Sequence, residues 1–365
     1  MPKVSIILPT HNGEKYLSNS IESIIKQDFE DWELIIVNDC SADGSQDIIN
    51  QYLKLDSRIK EIINKTNQKL PESLNIGFRS SKGDYLTWTS DDNIFMSDAL
   101  SKMVNYLNKN KNEYMVCAKM DIIDENGHFI AHHCGYSFRD MLYNNCVGAC
   151  FMYRRTVLMD IGEYDQSKFL VEDYDYWLRI LFFYGKIGYL NERLYLYRIH
   201  NASLTGTRER EIYQRQLLLK REYIENIIEN IGDDEELLVK TYYELKSEEL
   251  LDAKISSLFI KKCPILKSEV EVEQNDKVIV YGAGKYGQNA YEKYKKNIMF
   301  YADINYNLVG KEVNGVKIIS IEEMIKLKKD FLILVAAHPS KIYSFIKLLR
   351  DNKVSKYAVF TMKYE

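Results

Sequence analysis

The chain has 365 residues, 46% of them apolar, and a near-balanced charge of −4 from 49 basic and 53 acidic side chains. That length suggests two or three domains at roughly 150 residues each, and the lack of a global positive field argues against a nucleic-acid or other polyanion partner. No apolar run approaches the roughly 18 residues of a membrane span, and the run at residues 4–8 is too short for a signal-peptide core, so a soluble, cytoplasmic protein is expected.

From residue 1 to about 100, short β-branched runs alternate with longer amphipathic ones, the pattern of a parallel sheet with crossover helices. Strands are predicted at 4–8, 33–38, 59–63 and 85–88. Helices are predicted at 14–27, with Leu17, Ile21, Ile24 and Ile25 at helical spacing, and at 44–55, with Ile48, Ile49 and Leu53. Between 114 and 197 the pattern is mixed, with a hairpin signal at Glu125-Asn126-Gly127 and a helix predicted over 172–184. The six cysteines, at 40, 117, 134, 146, 150 and 263, have no paired spacing and read as reduced thiols, and His132-His133-Cys134 fits no usual zinc spacing.

Residues 208–262 are rich in Glu, Lys, Leu, Ile and Tyr and nearly free of glycine, which predicts helices broken once around 232–234. The charges of this connector read as a solvated face, leaving open a peripheral membrane contact or a homodimer. A third unit opens with a strand at 277–281 followed by Gly282-Ala283-Gly284-Lys285-Tyr286-Gly287, a GxGxxG at the mouth of a helix. Asp303 ends the next apolar run, where such a fingerprint places an acid against a ribose hydroxyl. A strand at 331–336 and a helix at 341–351 complete a small Rossmann-like unit. Gly282, Gly284, Gly287 and Asp303 form a candidate second nucleotide site, with tight strand-to-helix packing as the equal alternative. The domain reading is 1–207, 208–275 and 276–365.

Thr89-Ser90-Asp91-Asp92 follows the strand at 85–88 and sets two carboxylates at a strand end, where an open α/β sheet collects ligands and where hard divalent ions find oxygen donors. Alone, this would read as a polar turn before the helix that starts near 97. Asp39, ending the second strand, can accept an N–H from a nucleotide base or simply cap the Ser41 to Ser45 turn. Trp88 and Trp177 are candidates to stack on sugar or to fill the core.

Residues 2–204 resemble the family 2 glycosyltransferases, inverting enzymes of the GT-A fold. The family's opening Pro-Thr-x-Asn is matched by Pro9, Thr10 and Asn12, and its Val-Asp-Asp-Gly-Ser-x-Asp-Gly-Ser loop by 37–45, with Asn38 in place of the first acid and Cys40 in place of glycine. Its DxD element resembles 89–92, with Thr89 where a leading acid often stands. The 67–77 segment lacks the family's first glycine in the approach to that strand, and Lys69 there reads as a surface lysine.

The Glu-Asp motif is matched by Glu172 and Asp173, and the Tyr-Arg-x-His ending by 197–200. The resemblance implies nucleotide contacts from Pro9, Thr10, Asn12, Asp39 and Asp91. It implies a manganese or magnesium ion on Asp91, Asp92 and His200, and a lid over 201–208. It makes Asp173 the catalytic base, with Glu172 shaping the acceptor or sugar pocket. The implied reaction moves a sugar from a nucleotide donor, UDP-linked, to a hydroxyl of a surface polysaccharide or glycolipid on the inner face of the membrane.

The expected fold class is therefore α/β, with a GT-A transferase domain, a helical connector and a small carboxyl-terminal Rossmann-like domain. Two competing readings remain: a nucleotide- or sugar-binding regulator working through the carboxyl-terminal unit, and an oxidoreductase resting on the GxGxxG alone.

Overall fold

A computed structural model describes residues 2–133 and 135–363, so Cys134 lies outside the described residues. Two compact units divide the chain, residues 1–219 and 220–365.

The first unit carries, in chain order, β1 (Val4–Thr10), α1 (Leu17–Ile25), β2 (Trp32–Asn38), α2 (Ser45–Leu55), β3 (Ile59–Ile63), α3 (Lys69–Ser80), β4 (Tyr85–Trp88), β5 (Ile94–Phe95) and α4 (Ala99–Lys109). It continues with β6 (Met115–Ile123), β7 (Phe129–His132), α5 (Phe138–Met141), β8 (Phe151–Arg154), α6 (Arg155–Ile161), α7 (Glu172–Tyr184), β9 (Gly188–Arg198) and α8 (Leu204–Glu222), whose last residues fall in the second unit. The sheet runs in the order β3-β2-β1-β4-β8-β6-β9-β5, with β7 paired to β6. β3, β2, β1 and β4 are parallel, and β8 turns antiparallel on β4. Because β1 and β2 are covered on both faces, they read as unbroken apolar runs, with Ile6, Ile7, Leu8, Leu34 and Ile36 fully buried.

The first four predicted strands are present, extended by a residue or two at β1 and β2. The predicted 14–27 helix shrinks to α1, and the glycine-bearing 67–77 stretch proves to be most of helix α3. Gly77 is what lets α3 lie on the sheet, since a Cβ there would collide with Ile7 and press on Val37. Pro9 stands in β1 beyond the last β1–β4 pair, Ile7↔Trp88. Ile7 O faces β4, accepting from Thr89 N, while Thr10 O faces β2, accepting from Asp39 N. Residue 9 therefore faces the side where β4 has ended, and proline has no ladder donor to forfeit there.

In the second unit, α9 (Ile224–Ile231), α10 (Glu235–Ser247) and α11 (Ala253–Lys262) precede the sheet. The expected single break near 232–234 is joined by others at Tyr223 and at 248–252, because Asp252, like Asp234, is an N-cap: their carboxylates accept from Ile255 N and Leu237 N. β10 (Val278–Tyr281), α12 (Lys285–Tyr294), β11 (Ile298–Ala302), β12 (Glu312–Val313), β13 (Val316–Ile319), α13 (Ile321–Leu327), β14 (Leu332–Ala336), α14 (Pro339–Asp351) and β15 (Tyr357–Phe360) follow. The parallel order β13-β11-β10-β14-β15, with β12 antiparallel on β13, is that of a doubly wound half-domain. No described helix is long and apolar enough to cross a membrane.

Candidate active site

Three loops meet at the carboxyl edge of the parallel strands: 10–13 after β1, 39–45 after β2 and 89–93 after β4. Thr10 links them, its carbonyl accepting from Asp39 N at 2.8 Å and its Oγ1 donating to Asp91 Oδ2 at 2.5 Å. Asn12, at φ +59, turns back so that its N donates to Ser41 Oγ at 3.0 Å and its Oδ1 accepts from Ala42 N at 2.8 Å. Gly13 N donates to Ser45 Oγ at 3.0 Å, and a Cβ on Gly13 would strike the Asp91 carboxylate and Thr10 Oγ1. Cys40, where the resembled motif has glycine, sits at φ +63, a left-handed conformation that costs a side-chain-bearing residue roughly 1 kcal/mol.

Asp39 is 4% exposed. Its Oδ1 accepts from Asn64 Nδ2 and Gln68 N, both at 2.8 Å, and its Oδ2 accepts from Lys69 N at 2.9 Å, holding Lys69 at φ +67. These three donors leave about one of the carboxylate's four acceptor positions for an outside N–H. Asn38, the departure from the motif's first acid, accepts from Ser41 N and donates to Gln46 Oε1, so it shapes the turn from within.

The metal trio expected from sequence assembles only in part. Asp92 Oδ2 lies 3.0 Å from His200 Nε2, and Asp92 Oδ1 is buried with no hydrogen-bond partner. Asp91, by contrast, is turned toward Thr10 and Gly13, and burial together with the Asp92 charge pushes it up to about 7. Among the described residues no group of three or more His, Cys, Asp or Glu side chains stands ready to hold an ion. Adjacent residues leaving a strand point to different sides, which is why two consecutive acids do not share one ligand position. Asp92 and His200 alone fit a cation, with the orphaned Oδ1 as the free donor atom.

Thr89, in place of a leading acid, is buried with Oγ1 2.6 Å from Tyr195 OH. In the 201–208 segment expected as a lid, helix α8 starts at Leu204 and is interrupted at Arg208.

Asp173 and Glu172 open α7, whose first-turn acids suit the positive end of the helix dipole and whose end is closed by Gly185 at φ +77. Leu170, two residues earlier, is held at φ +77, an uncommon conformation for a bulky side chain. Asp173 is half-buried, its Oδ1 accepting from Tyr174 N and its Oδ2 from Asn145 Nδ2, each at 2.7 Å. Burial raises its pKa, and the two donors work against the rise. Glu172 is buried, its Oε2 unpartnered, and burial plus the neighbouring Asp173 charge pushes it up to about 8. Burial raises the pKa of Tyr197, whose OH lies 3.0 Å from Thr205 Oγ1, and the charges of Asp92 and Asp173 add to the rise.

Trp177 and Trp88 do not line a pocket. Trp177 is fully buried with its ring 4.4 Å from Phe151, and Trp88, 8% exposed, packs 5.5 Å from the same ring and donates Nε1 to Tyr164 OH at 3.0 Å. At helical and strand spacing both rings point inward, and their apolar area outweighs any surface role. Pro9 makes no polar contact at the loops.

Several residues with no motif to mark them complete the site. Asn145 lies in the loop before β8. Arg198 is buried, donating to the carbonyls of Asp92, Asp124 and Glu125, and stacks over Tyr16 at 4.5 Å, while Tyr16 also meets the His200 ring at 5.1 Å.

Glu172 gives a stability test. Folded, it keeps its proton up to about pH 8, whereas an unfolded chain releases it near 4.5. The native state thus binds more protons across that window, so this residue makes stability fall as pH rises through it. Glu172→Gln is expected to flatten the slope and raise the melting temperature at pH 8 by roughly 2 °C or more, read by thermal denaturation from pH 5 to 9; an unchanged slope would count against the assignment.

Residues 5–162 match the family described as Glycosyl transferase family 2. Those residues form a glycosyltransferase domain similar to that family. This glycosyltransferase is 29% identical over 288 residues to an uncharacterized glycosyltransferase of Haemophilus influenzae, covering 71% of this chain and 86% of the relative. It is 27% identical over 219 residues to the putative teichuronic acid biosynthesis glycosyltransferase TuaG of Bacillus subtilis, covering 57% and 83%. Its fold is similar to that of S. aureus TarS 1–349 in complex with UDP-GlcNAc, with a TM-score of 0.55, 18% identity, and 71% and 79% of the two chains covered. Residues 273–362 match the family described as CoA binding domain.

In that second unit the three glycines of the glycosyltransferase's GxGxxG separate by cause. Gly282, at φ +111, has Ala336 O 2.6 Å from where a Cβ would stand, and Gly287 packs on Gly282 O itself. Gly284 at the α12 N-terminus faces open space. Asp303, expected at a ribose, has Oδ2 accepting from Ala283 N at 2.9 Å and Oδ1 accepting from Asn305 N at 2.9 Å, so it braces the glycine turn.

Proposed function

We propose that this glycosyltransferase moves one sugar, with inversion, from a UDP-linked donor to a hydroxyl of a surface polysaccharide or lipid-linked glycan. The observation that carries the reading is the Asp173 carboxylate at the α7 N-terminus, half-buried with Tyr174 N on one oxygen and Asn145 Nδ2 on the other, in a unit whose Asp39, Asp91 and Asp92 stand at the carboxyl edge of a nucleotide-binding type of sheet. The likeness to a fold seen with UDP-GlcNAc supports the donor class, and the relative named for teichuronic acid synthesis supports a surface-glycan acceptor.

The residues have separable parts in this mechanism. Thr10, Asn12, Asp39 and Asp91 form the nucleotide side, with the remaining acceptor position of Asp39 taking a base N–H. Asp173 takes the proton of the acceptor hydroxyl. As that proton leaves, the oxygen forms its bond to the anomeric carbon, the bond from that carbon to the diphosphate oxygen breaks, and the electron pair departs with the nucleoside diphosphate. Asp92 and His200 would hold a manganese or magnesium ion, which when bound neutralises charge on the departing diphosphate. Glu172, protonated near neutral pH, keeps a second negative charge away from Asp173 and lines the sugar side.

The second unit is read as a separate nucleotide- or coenzyme-binding module, on the strength of Gly284, whose missing side chain no internal packing requires.

Release of UDP from UDP-N-acetylglucosamine and other UDP-sugars, with manganese, tests the reading. Chelation is expected to lower release by ~10²-fold or more, with full recovery on adding manganese back. Asp92→Ala should not recover at the same ion concentration. Chelator-resistant turnover would remove the ion from the mechanism.

A further inference from the structure

Asn145 lies in the loop joining α5 to β8 and belongs to no motif in the chain, yet it contacts the residue on which the transfer reading rests. Its Nδ2 donates to Asp173 Oδ2 at 2.7 Å, and its Oδ1 is buried with no hydrogen-bond partner. The reverse amide orientation would set two acceptors against each other, so the donor faces the carboxylate and the bare carbonyl faces away. A buried amide oxygen left unpaired costs about 1–3 kcal/mol. Glu172 Oε2, on the residue next to Asp173, is a second buried acceptor without a partner.

We propose that Asn145 is a positioning residue of the transfer reaction, its Nδ2 aiming the Asp173 carboxylate while its Oδ1 receives a hydroxyl of the incoming acceptor. The inference rests on Asp173 acting as the base. Tyr174 N holds one oxygen of Asp173 and Asn145 holds the other, so rotation of the carboxylate is blocked from both ends. An unpaired amide carbonyl accepts hydroxyl protons and repels anions. The nucleophile read here is therefore a neutral sugar hydroxyl with a neighbouring O–H, rather than a phosphate- or carboxylate-bearing group.

The groups whose charges reach Asp173 or its partner are Glu172 on α7, Tyr164, Tyr197 on β9, and Arg215 on α8, which acts on Glu172. None of them supplies the donor that Asn145 does.

Thermal unfolding of the full chain from pH 5 to 9 tests the pairing without any substrate. Asn145→Ala deprives the ionised Asp173 of its donor, raising the carboxyl pKa further, so the folded state keeps its proton to higher pH and the melting temperature falls more steeply with pH than in the wild type. In an Asp173→Asn background the same substitution should shift melting equally at every pH. A purely structural asparagine would give parallel curves in both backgrounds, and that result overturns the proposal.

Release of UDP from UDP-N-acetylglucosamine, with water as the simplest hydroxyl nucleophile, supplies the second arm. Asn145→Ala is expected to lower kcat by ~10²-fold, move the lower limb of the pH profile upward, and leave the donor KM within about twofold. An unshifted limb would also count against Asn145. A wild type that releases no UDP from any donor would sink the transfer reading instead, while the unfolding curves still judge the pairing.

Discussion

Asp173→Asn is expected to reduce sugar transfer on the order of 10³-fold while leaving UDP affinity within about twofold, the separation that loss of a general base without loss of binding should produce. The substitution keeps the shape of the side chain, and its carbonyl can still receive Tyr174 N. Its amide nitrogen would meet the Asn145 amide donor to donor, which a flip of Asn145 relieves by presenting Oδ1. The fold should therefore survive and only proton acceptance should be lost. Calorimetric titration with UDP and manganese, beside a nucleotide-release assay, reads the two quantities separately. Equal loss of both would take Asp173 out of the base role and make it a binding residue.

Gly287→Ala is expected to destabilise the second unit by about 2–3 kcal/mol, lowering its calorimetric transition by roughly 5–10 °C. The added Cβ would run into Gly282 O, and that carbonyl cannot retreat, because Gly282 is itself wedged at φ +111 against Ala336 O. Gly284→Ala meets no atom within 4 Å and should shift the same transition by no more than about 0.5 kcal/mol. Three glycines that look alike in the motif thus divide into two that packing demands and one that it does not. If both variants melt together, the packing account of Gly287 is wrong. If Gly284→Ala alone loses affinity for a nucleotide or coenzyme added to the full chain, the open side of that turn is where the ligand approaches.

Much of this architecture is legible in the amino-acid sequence. Strands at 59–63 and 85–88 and the helix at 172–184 fall where hydrophobic period and flanking polar residues put them, because a buried parallel strand is apolar throughout and acids at 172, 173 and 175 suit the positive end of that helix. No helix was predicted over 67–77, where Gly77 lets α3 lie against Ile7. The breaks at Tyr223 and 248–252 were not predicted either: Asp252, a charged residue in a charged helical stretch, is an N-cap, and capping is decided by the backbone angles around it.

The site divides along the same line. Residue type and order along the chain determined that Thr10, Asn12, Asp39, Asp91 and Asp92 follow strand ends and that Glu172 and Asp173 open a helix, since those features depend on neighbours a few positions away. Only the tertiary structure decided which way each carboxylate turns. It gave Asp91 to Thr10 and Asp92 to His200, spent most of Asp39 on the 64–69 backbone, sank Trp88 and Trp177 into an aromatic core, and brought Asn145 across 28 positions to Asp173. Side-chain direction, burial and the loss of water around a charge come from what packs against a residue from elsewhere in the chain. Pairings of that kind leave no period or spacing in the sequence from which to read them.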